Sequence, residues 1–462
     1  MIRLAITASI LMGDRSLTAM EACFGPDLSP PATIVVRRLA RAVVRVGLLA
    51  SVVALGAIDA SGQTEDHPSP PEGYKPIIPD LPHSVHEETT LRESWGTLHL
   101  GAAPIFDYTW FSQDQDSVDQ VGVQEDTHDW RSARVQMRGT LFNNRSHPWK
   151  FLVSFEYRGF DTDPDNNWSW TDVSLTMPAG PLGELTVGKI KESFAYEMVG
   201  DAANLPHLER LLSPFFTSRS IGLRLNKTLF DQRATLAFGA FNDWFVKDLA
   251  YDDSGWDVTG RVTAVPIWSD SGRRYLHVGG AWRYVGADEG LVRYRGRPES
   301  NVSDYFVDAT LAVDTKGIPA SHANHWGAEA LWSEGPVSVL AEYNDARVSS
   351  VEASDPHFDG WYATASWVVT GERRPYDRNV GYARRVLPAH RWGALELIGR
   401  YGIVDTVDQD IDGGYMTKWF TAVNWWATRR WRFSLGYGQA TLDKEGITGK
   451  TDQTLARVQW IY

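Results

Sequence analysis

From Trp95 to the C-terminus the chain repeats one pattern: segments of about ten residues in which apolar and polar or small residues alternate, separated by turn residues. Alternation with period 2 is the signature of a β-strand whose two faces meet different surroundings. In Trp149 to Arg158 the odd positions are aromatic or Val, while the even ones include Lys150, Ser154, Glu156 and Arg158. One face suits lipid and the other water. The same alternation marks Ala133 to Leu141, Ile221 to Leu225, Leu276 to Tyr284, Val337 to Tyr343, Trp361 to Val369, Leu395 to Tyr401, Trp431 to Tyr437 and Ala456 to Tyr462.

The connections between these segments alternate in length. Phe142 to Pro148, Pro178 to Gly183, Lys227 to Gln232, Pro266 to Gly272, Ser333 to Pro336 and Ala427 to Arg430 are short. Asp161 to Asn167, Lys191 to Thr217, Trp244 to Ser254, Gly286 to Ser321, Val348 to His357 and Asp443 to Lys450 are longer. Short periplasmic turns and longer external loops produce that asymmetry, so the pattern predicts an all-β transmembrane antiparallel barrel of about sixteen strands. Trp149, Trp326, Trp332, Trp361, Trp367, Trp431 and Trp460 fall near predicted strand ends, where an aromatic girdle meets the membrane interface. Two stretches fit less well. Gly371 to Arg391 is long for a periplasmic turn, and Tyr305 to Val313 resembles an extra strand that would break even parity.

Composition agrees with a barrel. Of 462 residues only 43% are hydrophobic, yet 12% are aromatic and 20 are Trp. The longest apolar run, Val46 to Ile58, is too short to span a bilayer as a helix. It follows Arg37, Arg38, Arg41 and Arg45 and precedes Ala60-Ser61-Gly62, the order of parts in an export signal. The predicted organisation is an export signal with an extended N-terminal region over 1–62, a flexible Pro-rich periplasmic lead-in over 63–93, and an outer-membrane barrel over 94–462. The single Cys23 lies before the signal, so no disulfide or cysteine metal site is expected, and no cofactor or metal is called for. The net charge of −13 argues against a nucleic-acid partner.

Several stretches resemble the phosphate-selective porin family, the O- and P-type anion porins. They are Gly183-Glu184-Leu185-Thr186-Val187-Gly188-Lys189-Ile190-Lys191-Glu192-Ser193-Phe194, Leu208-Glu209-Arg210, Arg295-Gly296-Arg297-Pro298-Glu299, Glu334-Gly335-Pro336 with Ala341-Glu342-Tyr343, Trp392 to Leu397 with Arg400-Tyr401, and the terminal Arg457 to Tyr462. The resemblance implies a homotrimer of sixteen-stranded barrels, a loop after strand five folded into the lumen, and basic side chains that draw small anions through.

The face opposite the apolar one carries Arg134 and Arg138 on the second strand, Arg158 on the third, Arg224 on the sixth, Arg261 on the eighth, Arg283 on the ninth, Arg400 on the thirteenth, Arg432 on the fifteenth and Arg457 on the sixteenth. Guanidinium groups stay charged and offer planar forks of donors, so a row of them can replace an anion's hydration. Glu156, Glu329, Glu342 and Glu396 form the expected opposing row. The loop Lys191 to Thr217 would bring Lys189, Lys191 and Arg210 near the constriction, with Leu205, Leu208, Leu211, Leu212 and Phe215 packed as a short helix. The arginines of Gly371 to Arg391 suit either a basic mouth or a solvated loop. The Asp161-Asp163-Asp165 and Asp408-Asp410-Asp412 runs lack the closing Glu of a calcium loop. External carboxylates suit contact with lipopolysaccharide through divalent ions. His322 and His325 are expected to be exposed, without the Ser motif a rim hydrolase needs. The functional expectation is therefore a passive, anion-preferring pore rather than an enzyme. The alternative is a structural or adhesive barrel with no open channel.

Overall fold

The computed structural model describes residues 90–158, 168–242, 254–311 and 316–462. The expected export signal, most of the lead-in and the loop carrying Asp161, Asp163 and Asp165 lie outside the described residues.

Sixteen strands form one closed antiparallel sheet: β1 Gly96–Gln113, β2 Thr127–Leu141, β3 Trp149–Tyr157, β4 Trp168–Pro178, β5 Glu184–Ile190, β6 Ser220–Leu229, β7 Ala234–Asn242, β8 Trp256–Ser269, β9 Arg274–Gly286, β10 Ile318–Glu334, β11 Val337–Ser350, β12 His357–Val368, β13 Ala394–Asp408, β14 Ile411–Trp426, β15 Trp431–Lys444 and β16 Ile447–Trp460. Each strand pairs with its sequence neighbours, and β16 closes on β1 from Ile105↔Gln459 to Gln113↔Thr451. Closure removes the unpaired edges that lipid would not tolerate. A short strand, Thr90–Glu93, pairs with the start of β1 on the edge that β16 occupies higher up, so the last residues of the expected lead-in belong to the sheet.

The alternation seen in sequence is the alternation of faces. Leu435, Val262, Phe238, Leu236, Val135 and Val423 project outward and are exposed. Such a continuous apolar exterior is what a lipid-facing band requires. Trp332 and Trp367 sit near the short-turn ends of β10 and β12, while Trp326 and Trp361 fall six residues earlier, well inside these strands. The strands therefore continue beyond the lipid band on the long-loop side. Tight turns carry the residues their geometry needs: at Glu445-Gly446 both φ values are positive, 53° and 77°, as a two-residue primed hairpin turn demands.

The parity problem resolves locally. Val307–Ala309 pairs with Tyr294–Gly296 as a small hairpin inside the loop after β9 and adds no wall strand. The loop after β1 carries helix α1, Gln115–Val121, whose N-cap Asp114 accepts from Ser117 N at 2.8 Å.

Three connections turn into the barrel, those after β5, β9 and β12; the one after β9 places Glu299 against Arg400 and Lys418. The loop after β5 runs along the lumen with its apolar side chains Phe194, Tyr196, Met198, Leu205, Leu208, Leu211, Leu212 and Phe215 buried. Glycines on the wall make room for it: a Cβ on Gly402 would lie 2.5 Å from Leu211 Cδ2, and one on Gly360 would lie 2.9 Å from Leu212 Cδ2. The expected leucine-bearing helix is not what packs there. Helix α2 is the single turn Tyr196–Val199, and 3-10 turns cover Ala202–Asn204 and Ser213–Phe215. Pro206 and Pro214, which lack a donor and restrict the preceding residue, interrupt any longer helix.

Candidate functional site

A loop inside a barrel must find partners for its backbone carbonyls. The lumen arginines supply them. Arg457 donates to Leu208 O at 2.6 Å, Arg400 to Glu209 O at 2.7 Å, and Arg432 to Leu205 O at 3.1 Å and Pro206 O at 2.9 Å. Their remaining donors meet carboxylates: Arg457 meets Asp107 and Glu209, and Arg400 meets Glu197 and Glu299. Arg283 pairs with Glu192 at 2.6 Å and Asp257 at 2.8 Å, and Arg261 with Glu329 at 2.5 Å. The expectation of a continuous arginine row along the passage is corrected here. Arg261, Arg283, Arg400, Arg432 and Arg457 do face inward, but all are buried and partnered. Arg261, Arg400, Arg432 and Arg457 hold loops in place, while Arg283, bound to Glu192 and Asp257, also lines a separate cavity of about 490 Å³.

The opposing acidic row is corrected in the same way. Glu342 accepts from the backbone of Tyr196 at 2.7 Å and Glu197 at 3.1 Å, fixing α2 to β11. Glu396 accepts from Arg374 at 2.5 Å, Asn424 at 3.0 Å and Trp426 at 2.9 Å. Glu329 serves Arg261 and His277. These acids neutralise neighbours locally and do not face the arginines across an open channel. His325 is buried, not exposed as expected, because Phe215 O and Tyr294 OH lie 2.9 and 2.8 Å from its ring nitrogens. On the outer turns, Asp408 and Asp412 accept backbone N–H groups from His357 and Glu445, each at 2.8 Å.

The long short-turn-side connection between β12 and β13 also folds inward. Its Arg374 reaches Asn204 O at 2.8 Å, Ala383 N donates to Tyr196 OH at 2.9 Å, and Arg261 from the wall donates to Val380 O at 3.1 Å. Of its arginines, Arg374, Arg384 and Arg385 are buried, Arg373 and Arg378 are half-buried and Arg391 is exposed, so the connection is anchored inward rather than solvated throughout.

Between these loops and the wall built by β1 to β3 a cavity of about 230 Å³ stays open. Seven cationic side chains line it, Arg131, Arg134, Arg158, Lys191, Arg210, Arg219 and Arg385, against two carboxylates, Glu156 and Asp201. Arg134 donates to Glu156 at 3.0 Å, and Glu156 also accepts from Ser132. Arg219 donates to Asp172 at 2.9 Å and Arg131 to Glu209 at 2.7 Å. Arg224 donates to Lys191 O at 2.8 Å and so positions that lysine. Burial pushes the Lys191 ammonium down to about 8, although Asp201 pulls the other way. For Asp201, burial acts upward, but Lys191, Arg134, Arg219 and Arg210 together hold it well below the usual carboxylate range.

Four of the expected pathway residues, Arg134, Arg158, Lys191 and Arg210, thus meet in one place with Glu156. Arg138 lies on the same inner face of β2, opposite His99, outside this cavity. Lys189 is a correction. Its partners across the sheet are Val173 and Ile221, on the outward parity of β4 and β6, so it faces away from the lumen while Lys191, past the strand end, turns in. Arg131, Arg219 and Arg385 are additional. Arg131 is odd-numbered on a strand whose inner positions are even, but the register slips beside it, with Ile105↔Ser132 followed by Phe106↔Trp130. Such a bulge re-aims one side chain.

Known proteins bear on this geometry. The model of the family described as phosphate-selective porin O and P matches residues 106–462. An uncharacterized protein of Caulobacter vibrioides is 29% identical over 205 residues, which cover 43% of this chain and 39% of that relative. The aligned stretch therefore spans about two-fifths of the relative's length. Among solved structures, the outer-membrane-expressed OmpT of Vibrio cholerae is similar with a TM-score of 0.51 at 11% identity, covering 81% of this chain and 100% of that one. Salmonella typhi OmpF in complex with daunomycin gives a TM-score of 0.51 at 9% identity, over 81% and 100% of the two chains. At these identities the structures share the barrel fold. With the family model matched from the middle of β1 to the last residue, this chain belongs to the phosphate-selective porin O and P family of outer-membrane barrels.

Proposed function

We propose that this porin is a passive diffusion pathway for small hydrophilic solutes that prefers anions of the carboxylate or phosphate kind. The observation that carries the reading is the lining of the open cavity, seven cations against two carboxylates in a protein whose total charge is −13. Local charge in a narrow, partly desolvated passage governs which ions enter, whereas the acidic loops are screened beyond roughly 10 Å in physiological salt. Arg158 supports the reading most directly, because it lines the cavity and no described residue accepts a hydrogen bond from it.

Reversal potentials of the purified protein in planar bilayers under a KCl gradient test this. The expected sign is that of chloride preference, reduced in Arg158→Ala plus Lys191→Ala. Potassium preference in the native protein would refute the reading. Total absence of conductance would favour a closed, structural barrel, which the filling of the lumen by loops from both ends makes a concrete alternative. The same proposal includes removal of residues 1–62 on export, a periplasmic lead-in up to the sheet, and assembly as a homotrimer. N-terminal sequencing and the mass of the unheated assembly check these.

A further inference from the structure

Of the two carboxylates in the cavity, one is locked and one is loose. Glu156 is 3% exposed, and both its oxygens are taken by Ser132 and Arg134. Asp201 is 30% exposed, and its contacts are a single oxygen at 3.4 Å from Arg134 Nη1 and 3.5 Å from Lys191 Nζ. Those distances lie at the outer edge of hydrogen bonding, whereas the loop anchors run at 2.6 to 3.1 Å. Arg210 and Arg219 line the same space. Asp201 therefore sits where the oxygens of a passing anion would be drawn, at the N-cap of the 3-10 turn that follows α2.

We infer that Asp201 is a resident counter-ion of the basic cavity, one that a permeating anion must displace or share with, and that it tunes the passage toward monovalent anions. The inference rests on the anion-preferring reading above. Its physical basis is that repulsion from a fixed carboxylate scales with the charge of the visitor, so a dianion loses twice as much as a monoanion at the same distance. The surrounding cations are shared between Asp201 and the visitor, which weakens binding and favours release, as conduction requires.

The test is block of chloride current through the full-length protein in planar bilayers by added sulfate, a dianion at every working pH, with acetate as the monovalent comparison. Asp201→Asn is expected to lower the half-blocking sulfate concentration on the order of thirtyfold, the factor for a dianion about 4 Å from a carboxylate under screening as strong as bulk water's, against about fivefold for a monoanion. The acetate value should move less. Asp201→Glu, which keeps the charge, should retain native sulfate block and guards against a misfolded loop in the first variant. An unchanged sulfate value in Asp201→Asn, or equal shifts for sulfate and acetate, overturns the inference. Native protein that prefers potassium would instead overturn the anion reading itself.

Discussion

Replacing Arg457 by Leu distinguishes an arginine that holds the passage from one that serves it. The Arg457 side chain is fully buried on β16 and donates to Asp107 Oδ1 at 2.7 Å and Oδ2 at 2.6 Å across the seam where the barrel closes. It also reaches Leu208 O at 2.6 Å and the Glu209 carboxylate on the constriction loop. Removing one member of a buried ion pair costs about 3–5 kcal/mol because the partner charge is stranded. Glu209 keeps Arg131 at 2.7 Å, so Asp107 bears most of the loss, and the lower end of the range, about 3 kcal/mol, applies.

Urea unfolding of the liposome-reconstituted protein, followed by Trp fluorescence, should show this destabilisation. The reversal potential should stay at the native value, because Arg457 is not among the residues lining the open cavity. Arg158→Leu should do the opposite, leaving stability within about 0.5 kcal/mol, as for surface positions without committed partners, and reducing chloride preference. A native unfolding midpoint in Arg457→Leu together with lost chloride preference would refute the division into anchoring and lining arginines.

Lys191 gives the passage a pH dependence. A lysine with its pKa near 8 is charged below that pH and neutral above it, so chloride preference should fall as pH rises from 7 to 9 and be flat in Lys191→Met; a flat native profile would contradict the burial of this ammonium. Leu435→Arg tests the lipid-facing band. Leu435 is 58% exposed on the outer face of β15, and Arg near the bilayer midplane costs about 2–4 kcal/mol, so folding into liposomes should be impaired, whereas a neutral outcome would place this position outside the lipid.

Where the physics is periodic, the sequence is easy to read. Wall strands must alternate between lipid and lumen, and Trp149 to Arg158 carries that alternation with the one exception of Leu152, which is why the strand order and the inward face of Arg134, Arg158, Arg224 and Arg400 follow from parity. Lys189 shows the limit of counting. Its nearness to Lys191 in sequence suggests a shared site, yet Lys189 is still inside β5 and Lys191 is beyond it, so the two point to different sides. Arg131 fails for the complementary reason: a one-residue slip reverses parity, and nothing in the local composition announces it.

The division of labour among the arginines is harder to read because it depends on which backbone each one meets. A guanidinium on the inner face is equally suited to a visiting anion or to a buried carbonyl, and the carbonyls of residues 205–209 come from a connection far away in sequence. Burying that connection leaves oxygens that the barrel's own ladder cannot satisfy, so wall side chains must do so, and each arginine used this way is withdrawn from the passage. The inward fold of the β12–β13 connection has the same consequence for Arg374 and Arg384, while leaving Arg385 at the cavity. The cavity beside β1 to β3 is thus what the loops leave on that side of the barrel: a basic arc whose charge is set less by the number of arginines in the chain than by how few carboxylates and carbonyls reach it.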